Sequence, residues 1–355
     1  MDKRWKELGK LLVNYSTSVQ PNERVMIAMT EIETYPLVQA VYEACVQAGA
    51  HPQVQFLSEK LNRSLLKYGS DQQIEWVPEI EAYGMEWADV YIGLRGAHNL
   101  KVFWDIPSPK LAQLRRSMGK ISTLRWEKTR WCLVRVPNAS LAQEAEMDEE
   151  TITDVFFNAC LLDWTEISEK WNRWATLLSQ GSEIRIIGHK TDLHFSVKGR
   201  SWQVANGKIN MPDGEIMTSP DDSTVEGEIY FEFPGVLGGR LMYDVHLQWQ
   251  KGELVKATSS THQDFLQSTI QSDPGASRIG EFAFGTNPEV KYFCKDILLD
   301  EKIGGTIHIA LGRAYPETGG TNKSAIHWDI VKDMRKEGEV YLDGNLIFQK
   351  GKMLI

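Results

Sequence analysis

Four short segments near the C-terminal end of the chain carry side chains able to do metal chemistry. They are Met211-Pro-Asp-Gly-Glu-Ile-Met-Thr218, Arg278-Ile-Gly-Glu-Phe-Ala283, Ile307-His-Ile-Ala-Leu-Gly312 and Ile326-His-Trp-Asp329. Each offers one or two possible ligands to a divalent cation: Glu215, Glu281, His308, and His327 with Asp329. Three carboxylates and two imidazoles suit two zinc-like or cobalt-like ions. A carboxylate can bridge two metals, and neutral imidazole nitrogen completes their shells. No cysteine lies in these segments, so no thiolate is involved. The chemistry such a set performs is hydrolysis by a metal-activated water.

Each residue also has an ordinary explanation. His327 and Asp329 are two apart, so on one strand they point to the same face, yet a surface His-x-Asp pair is common. His308 sits on an apolar strand, where a histidine is often a hydrogen-bonded core residue. Glu281 is flanked by Ile279, Gly280, Phe282, Ala283 and Phe284. A carboxylate buried there costs several kcal/mol unless a cation or donors compensate, and Arg278 or Arg313 could supply the partner. Glu215 follows Asp213-Gly214 in a turn, where acidic residues are usually solvated. What favours a site is the company the four segments keep. The remaining histidines (His51, His98, His189, His194, His246, His262) have no ligand-like neighbours in sequence.

The elements that must position these groups fall into two halves. Trp5, Leu8, Leu11, Leu12 and Tyr15 recur at helical spacing. Arg24–Met29 reads as a buried strand. A helix then starts near Pro36, buries Leu37, Val38, Val41, Tyr42, Cys45 and Val46, and ends at Gly49. Further strands are expected at Pro52–Leu57, Asp89–Leu94 and Trp131–Val136, each separated from the next by a helical stretch, which implies a mostly parallel sheet flanked by helices. A long helical region spans about Asp148–Leu178. Beyond Gly181 strands dominate, at Glu183–Ile187, Asp192–Val197, Glu228–Phe233 and Leu241–Trp249, with hairpin turns at Lys251-Gly252 and Asp343-Gly-Asn345. The expected organisation is an N-terminal α/β domain over 1–180 and a strand-rich α+β domain over 181–355 that holds all four ligand segments.

Composition narrows the function classes. A chain of 355 residues with 42% apolar and 25% charged residues is that of a globular protein with two domains. A net charge of −9 argues against a nucleic-acid surface. No window approaches 18 uninterrupted apolar residues, so no membrane span is expected. Four scattered cysteines and a charged N-terminal stretch without an apolar signal core fit a cytoplasmic protein. The twelve tryptophans read mainly as packing residues. The His-Glu-x-x-His, Gly-x-Ser-x-Gly and Walker-type motifs are absent, and Gly319-Gly-Thr-Asn-Lys-Ser324 lacks the glycine that a phosphate loop requires before its lysine.

In their order, the four segments resemble the thermophilic-type metallo-aminopeptidases, the aminopeptidase T family. Met211 to Pro220 matches Met-Pro-x-x-Glu-[Ile/Val]-x-Thr-[Ala/Ser]-Pro, and Ile279–Ala283 is similar to Leu-Gly-Glu-x-Ala. His308–Gly312 with Ala314-Tyr-Pro316 matches His-Ile-Ala-[Leu/Phe]-Gly with its following Ala-Tyr-Pro. Asn322–Asp329 matches Asn-x-Ser-x-Ile-His-x-Asp. The resemblance extends more weakly over the first half, through Pro36-Leu-Val and Ala48-Gly-Ala-His-Pro. It implies Glu215, Glu281, His308, His327 and Asp329 as ligands of two divalent ions (Zn, Co or Mn). Glu281 would bridge, Glu215 and Asp329 would complete one shell, and His308 and His327 the other. It further implies Tyr315 as an active-site tyrosine, a short peptide as substrate, a homodimer, and release of N-terminal residues. The stretch from Gly312 to Asn322 is more compact than in the family. A dihydroxypyridine ring-cleaving dioxygenase resembles the same family, and His308, His327 and Asp329 alone would suit one Fe(II). The presence of both Glu215 and Glu281 favours the peptidase.

Overall fold

The structure is a computed structural model that describes residues 2–125 and 128–355. The chain divides into two compact units, one formed by Met1–Leu161 with Gly207–Pro212 and the other by Leu162–Asn206 with Asp213–Ile355. The division therefore falls at Leu161/Leu162, ahead of the expected boundary at 180/181, and a short excursion of the chain returns to the first unit. The cause is local. The expected single helical region is two helices, Glu149–Cys160 and Trp164–Leu178, and the Asp163 side chain caps the second by accepting from the Thr165 and Glu166 amides.

The first unit is built on a parallel sheet. Its strands are β1 (Arg24–Thr30), β2 (His51–Leu57), β3 (Val90–Arg95) and β4 (Arg130–Arg135), in the order β2-β1-β3-β4, with Asn210–Met211 pairing beside β4. Strands β1 and β3 are near-continuous apolar runs because helices cover both faces of a parallel sheet. Strand β2 lies at the edge of the sheet, and its Val54 and Phe56 are exposed. The helix Tyr35–Gln47 buries Leu37, Val38, Ala40, Val41, Ala44 and Cys45, while Tyr42 and Val46 stay exposed, contrary to the expected stripe. The four cysteines are buried.

The second unit contains two antiparallel sheets. One has eight strands drawn from Glu183–Gly188 through Lys352–Met353. Its hairpins at Lys251-Gly252 and Asp343-Gly344 have positive φ at both central residues (50° and 76°, 51° and 80°), the geometry that suits the twist of paired strands. The expected run from Leu241 to Trp249 is broken at Asp244 (φ 53°) into Arg240–Met242 and His246–Gln250.

The other sheet carries the ligand segments: β5 (Gln203–Ala205), β6 (Glu215–Thr218), β7 (Ile279–Gly285), β8 (Thr306–Gly312) and β9 (His327–Asp333), in sequential spatial order. One face of it is apolar and packs on the eight-stranded sheet through Phe282 against Phe195 and Phe284 against Phe348, both at 5.3 Å between ring centroids. Trp171, Trp249 and Trp328 are buried, whereas Trp76 and Trp104 are exposed, so not every tryptophan is a packing residue; Trp126 lies outside the described residues. Among the described residues no helix is long and apolar enough to cross a membrane.

Candidate metal centre

Strand register brings the expected side chains together. In an antiparallel ladder, residues directly opposite share a face, and so do residues two apart on one strand. Ala310 stands opposite both Glu281 and Asp329. His308, two residues from Ala310, stands opposite Ala283, and His327, two from Asp329, stands opposite Gly312. Glu215 stands opposite Gly285, four residues from Glu281. All five therefore leave the same face. Directly opposite them that face carries Ala283, Gly285, Ala310 and Gly312, whose small side chains leave room above the sheet.

The five form a row. Glu215 Oε2 lies 3.4 Å from His308 Nε2, which lies 3.3 Å from Glu281 Oε1. Glu281 Oε2 is 3.2 Å from His327 Nε2, which is 3.4 Å from Asp329 Oδ1. Glu215, Glu281 and His308 are buried, and His327 and Asp329 are half-buried. The arginine alternative for Glu281 finds no support, since Arg278 pairs with Glu253 and Asp222, and Arg313 is exposed.

Two residues that sequence reasoning did not single out join this row. Glu301 and Lys302 follow the short helix Ile297–Asp300. Lys302 is fully buried, with Nζ 2.7 Å from Glu215 Oε1, 2.7 Å from Glu301 Oε1 and 3.3 Å from Asp213 Oδ1. Gly285 permits the approach: a Cβ there would lie 2.6 Å from Thr306 Oγ1 and 3.0 Å from the Glu301 carbonyl. The one available signal was the run Leu298-Leu-Asp-Glu-Lys302 just ahead of the His308 strand, and it reads as the solvated end of a helix.

Possible metal-holding groups separate into Glu215–Glu301–His308 and Glu281–His327–Asp329, with the candidate ligand atoms of each group within 4.8 Å of one another. This grouping differs from the shells implied by family resemblance, because Glu215 and Asp329 stand on β6 and β9 with two strands between them.

Electrostatics shows a site short of positive charge. Burial disfavours an ionised carboxylate at Glu281, yet hydrogen bonds to His308 and His327 hold its pKa down at about 2. Burial opposes protonation of His308, but Glu281 and Glu215 raise it to about 9; at His327, Asp329 and Glu281 outweigh burial and raise it to about 11. Glu301 is pushed up to about 8 by burial. The imidazoles thus hold protons that a bound cation would displace.

The residues fit a divalent ion. His327 Nδ1 is 2.7 Å from the Arg313 carbonyl, which can only accept, so the proton sits on Nδ1 and Nε2 is aimed at the carboxylates. Glu215 Oε2 is buried and accepts no hydrogen bond. Tyr315 places its hydroxyl 3.4 Å from His327 Nε2. It stands on the loop that joins β8 to β9, and Asn322 tightens that loop by donating to the Gly312 and Gly275 carbonyls at 2.7 and 2.9 Å.

Known proteins are similar to this chain in sequence and fold. Aminopeptidase 2 of Geobacillus stearothermophilus is 23% identical over 98% of this chain and 99% of its own, and aminopeptidase T of Thermus thermophilus is 22% identical over 98% of each. The solved structure of wild-type AmpT from Thermus thermophilus superposes with a TM-score of 0.89 at 21% identity, covering 99% of both chains. A 2,5-dihydroxypyridine dioxygenase from Pseudomonas putida KT2440 shares the fold at a TM-score of 0.61 and 15% identity, over 99% of this chain and 96% of its own. The family model for thermophilic metalloprotease (M29) matches residues 1–353. The chain belongs to the thermophilic metalloprotease family M29 and is, by that membership, a metal-dependent hydrolase.

Proposed function

We propose that the protein is an aminopeptidase that releases N-terminal residues from short peptides with the help of divalent metal. The observation that carries this reading is the shared face on which Glu215, Glu281, His308, His327 and Asp329 form one row. A bound divalent ion lowers the pKa of a coordinated water and polarises a carbonyl. The chain's own groups do the rest. Glu281 holds both imidazoles in place with its two oxygens. The Arg313 carbonyl fixes the His327 tautomer, and Tyr315 donates a hydrogen bond to the oxyanion that develops on the scissile carbonyl. A free α-amino group is a cation, and the carboxylate-rich row is its natural acceptor.

In the two-ion form of this reading, Glu215, Glu301 and His308 hold one ion (Zn, Co or Mn) and Glu281, His327 and Asp329 the other. The first group already contains the Lys302 ammonium, so we assign the reaction to the second. A homodimer in the cytoplasm completes the proposal; the scattered, buried cysteines are consistent with a reducing compartment.

Peptides with a free N-terminus and their N-acetylated counterparts test the activity. The free peptides should lose one residue at a time, and the acetylated ones should be inert. A second reading, a mononuclear Fe(II) dioxygenase held by His308, His327 and Asp329, is supported by the shared fold of the dihydroxypyridine enzyme. Oxygen uptake with Fe(II) and a hydroxylated pyridine, without peptide cleavage, would overturn the aminopeptidase proposal.

A further inference from the structure

Among the described residues Lys302 is the one ammonium in the row, and its surroundings leave it no freedom. Its three N–H donors face three carboxylates, Glu215 and Glu301 at 2.7 Å and Asp213 at 3.3 Å. Lysine and Asp213 are fully buried, and Glu215 nearly so. The backbone pins the residue from both sides: the Lys302 amide donates to the Leu299 carbonyl at 3.1 Å, and the Lys302 carbonyl accepts from the Asn287 amide at 3.1 Å. The side chain cannot swing into solvent without unpacking the turn that Gly285 accommodates.

We propose that the Lys302 ammonium takes the place of one of two metal ions, so that the chain holds a single tightly bound divalent ion, at Glu281, His327 and Asp329. This inference rests on the reading of the row as a metal centre. A divalent ion among Glu215, Glu301 and His308 would have to share two carboxylates with a cation already in contact with both. Water is excluded there, and like charges at that separation oppose each other far more strongly than at a surface. The second group is different. Among the described residues no lysine or arginine side chain pairs with Glu281, His327 or Asp329; their close partners are each other, His308, Tyr315 and the Arg313 backbone carbonyl. The lysine is thus a built-in cation that holds the Glu215 end of the row in shape, and the exchangeable cation belongs to the other end.

The test counts ions rather than turnover. Metal-free protein is titrated with Zn²⁺ alone by calorimetry, and the loaded protein is weighed by native mass spectrometry. The wild type should take up one tightly bound Zn²⁺ per chain. Lys302→Met and the polar Lys302→Gln, which remove the charge but keep most of the volume, should gain a second ion. Glu281→Gln should lose the ion that the wild type holds. Two equally tight ions in the wild type, or an unchanged count of one in folded Lys302 variants, would overturn the inference and leave the metal-centre reading intact. The wild-type count decides even where a Lys302 variant fails to fold. No Zn²⁺ bound by wild type, or full retention by Glu281→Gln, overturns the metal-centre reading itself and the inference with it.

Discussion

Glu281 and His308 are 27 positions apart in the chain and meet at 3.3 Å because Ala283, two residues from Glu281, is the ladder partner of His308. The other oxygen of Glu281 reaches His327 at 3.2 Å. One carboxylate therefore joins three strands, and a change at this position should act on the whole row.

Glu281→Gln keeps the shape and volume of the side chain and removes its charge. Turnover should fall by about 100-fold or more, the scale of removing one stabilising group at a reacting centre, and bound metal should be lost while the melting temperature changes little. Glu215→Gln should show the reverse emphasis. It takes one of three counter-charges from the buried Lys302 ammonium, a loss of about 3 kcal/mol for breaking a buried ion pair. Calorimetric unfolding and metal analysis on both variants check this, and equal effects of the two on metal content would contradict it.

Tyr315→Phe removes the hydroxyl that lies 3.4 Å from His327 Nε2 but leaves the ring, which stacks at a tilt with its centroid 5.0 Å from that of His327. If the hydroxyl donates to the developing oxyanion, kcat should drop by roughly 10²–10³-fold with KM close to wild type. A change confined to KM would move Tyr315 from catalysis to substrate binding.

Treatment with a strong chelator should abolish hydrolysis of an aminoacyl chromogenic amide, and Zn²⁺, Co²⁺ or Mn²⁺ should restore it. Carboxylate and imidazole ligands without thiolate hold exchangeable ions. Chelator-resistant turnover by metal-free protein is the result that would sink a metal mechanism.

Stability in the first unit should have an acid dependence of its own. Hydrogen bonds from the Arg24 side chain and backbone amide hold the Asp89 carboxyl at about 2, below its ordinary value of 3.8. The depressed value means that the pair contributes fully above the ordinary value and is lost as pH falls through about 2. Asp89→Asn should therefore destabilise the protein at pH 6, and the difference from wild type should shrink below pH 4 and vanish only once the pH is below the folded-state value of about 2. A difference that stays constant across this range would show that packing, not charge, links the two residues. The pair is partly exposed, so the effect at neutral pH is small.

Much of this protein is legible from the order of its residues alone. Apolar runs such as Val25–Met29 and Val90–Leu94 read as buried parallel strands because helices cover both faces of the sheet they form. The spacing of His327 and Asp329 places both on one face through the two-residue repeat of a strand, and the hairpin turns at Lys251-Gly252 and Asp343-Gly344 follow from their glycines, which tolerate positive φ. The five candidate ligands could be named before any coordinates because metal chemistry restricts them to a few residue types.

What only the tertiary structure decided is who stands next to whom. Ligand grouping depends on strand order, and nothing local in sequence tells Glu215 that β7 and β8 will separate it from Asp329. The helix Glu149–Cys160 falls in a different unit from Trp164–Leu178, although the two read as one region, because where a helix packs is settled by partners distant in sequence. Glu301 and Lys302 are the sharpest case. An Asp-Glu-Lys run normally faces water, since burying an ion is costly without partners. Here the partners, Glu215 and Asp213, come from a segment more than 80 residues earlier, and Gly285 on a third segment makes the space. Burial of a charge is a property of the assembled site, so the place of Lys302 beside Glu215 could not be seen in the chain that encodes it.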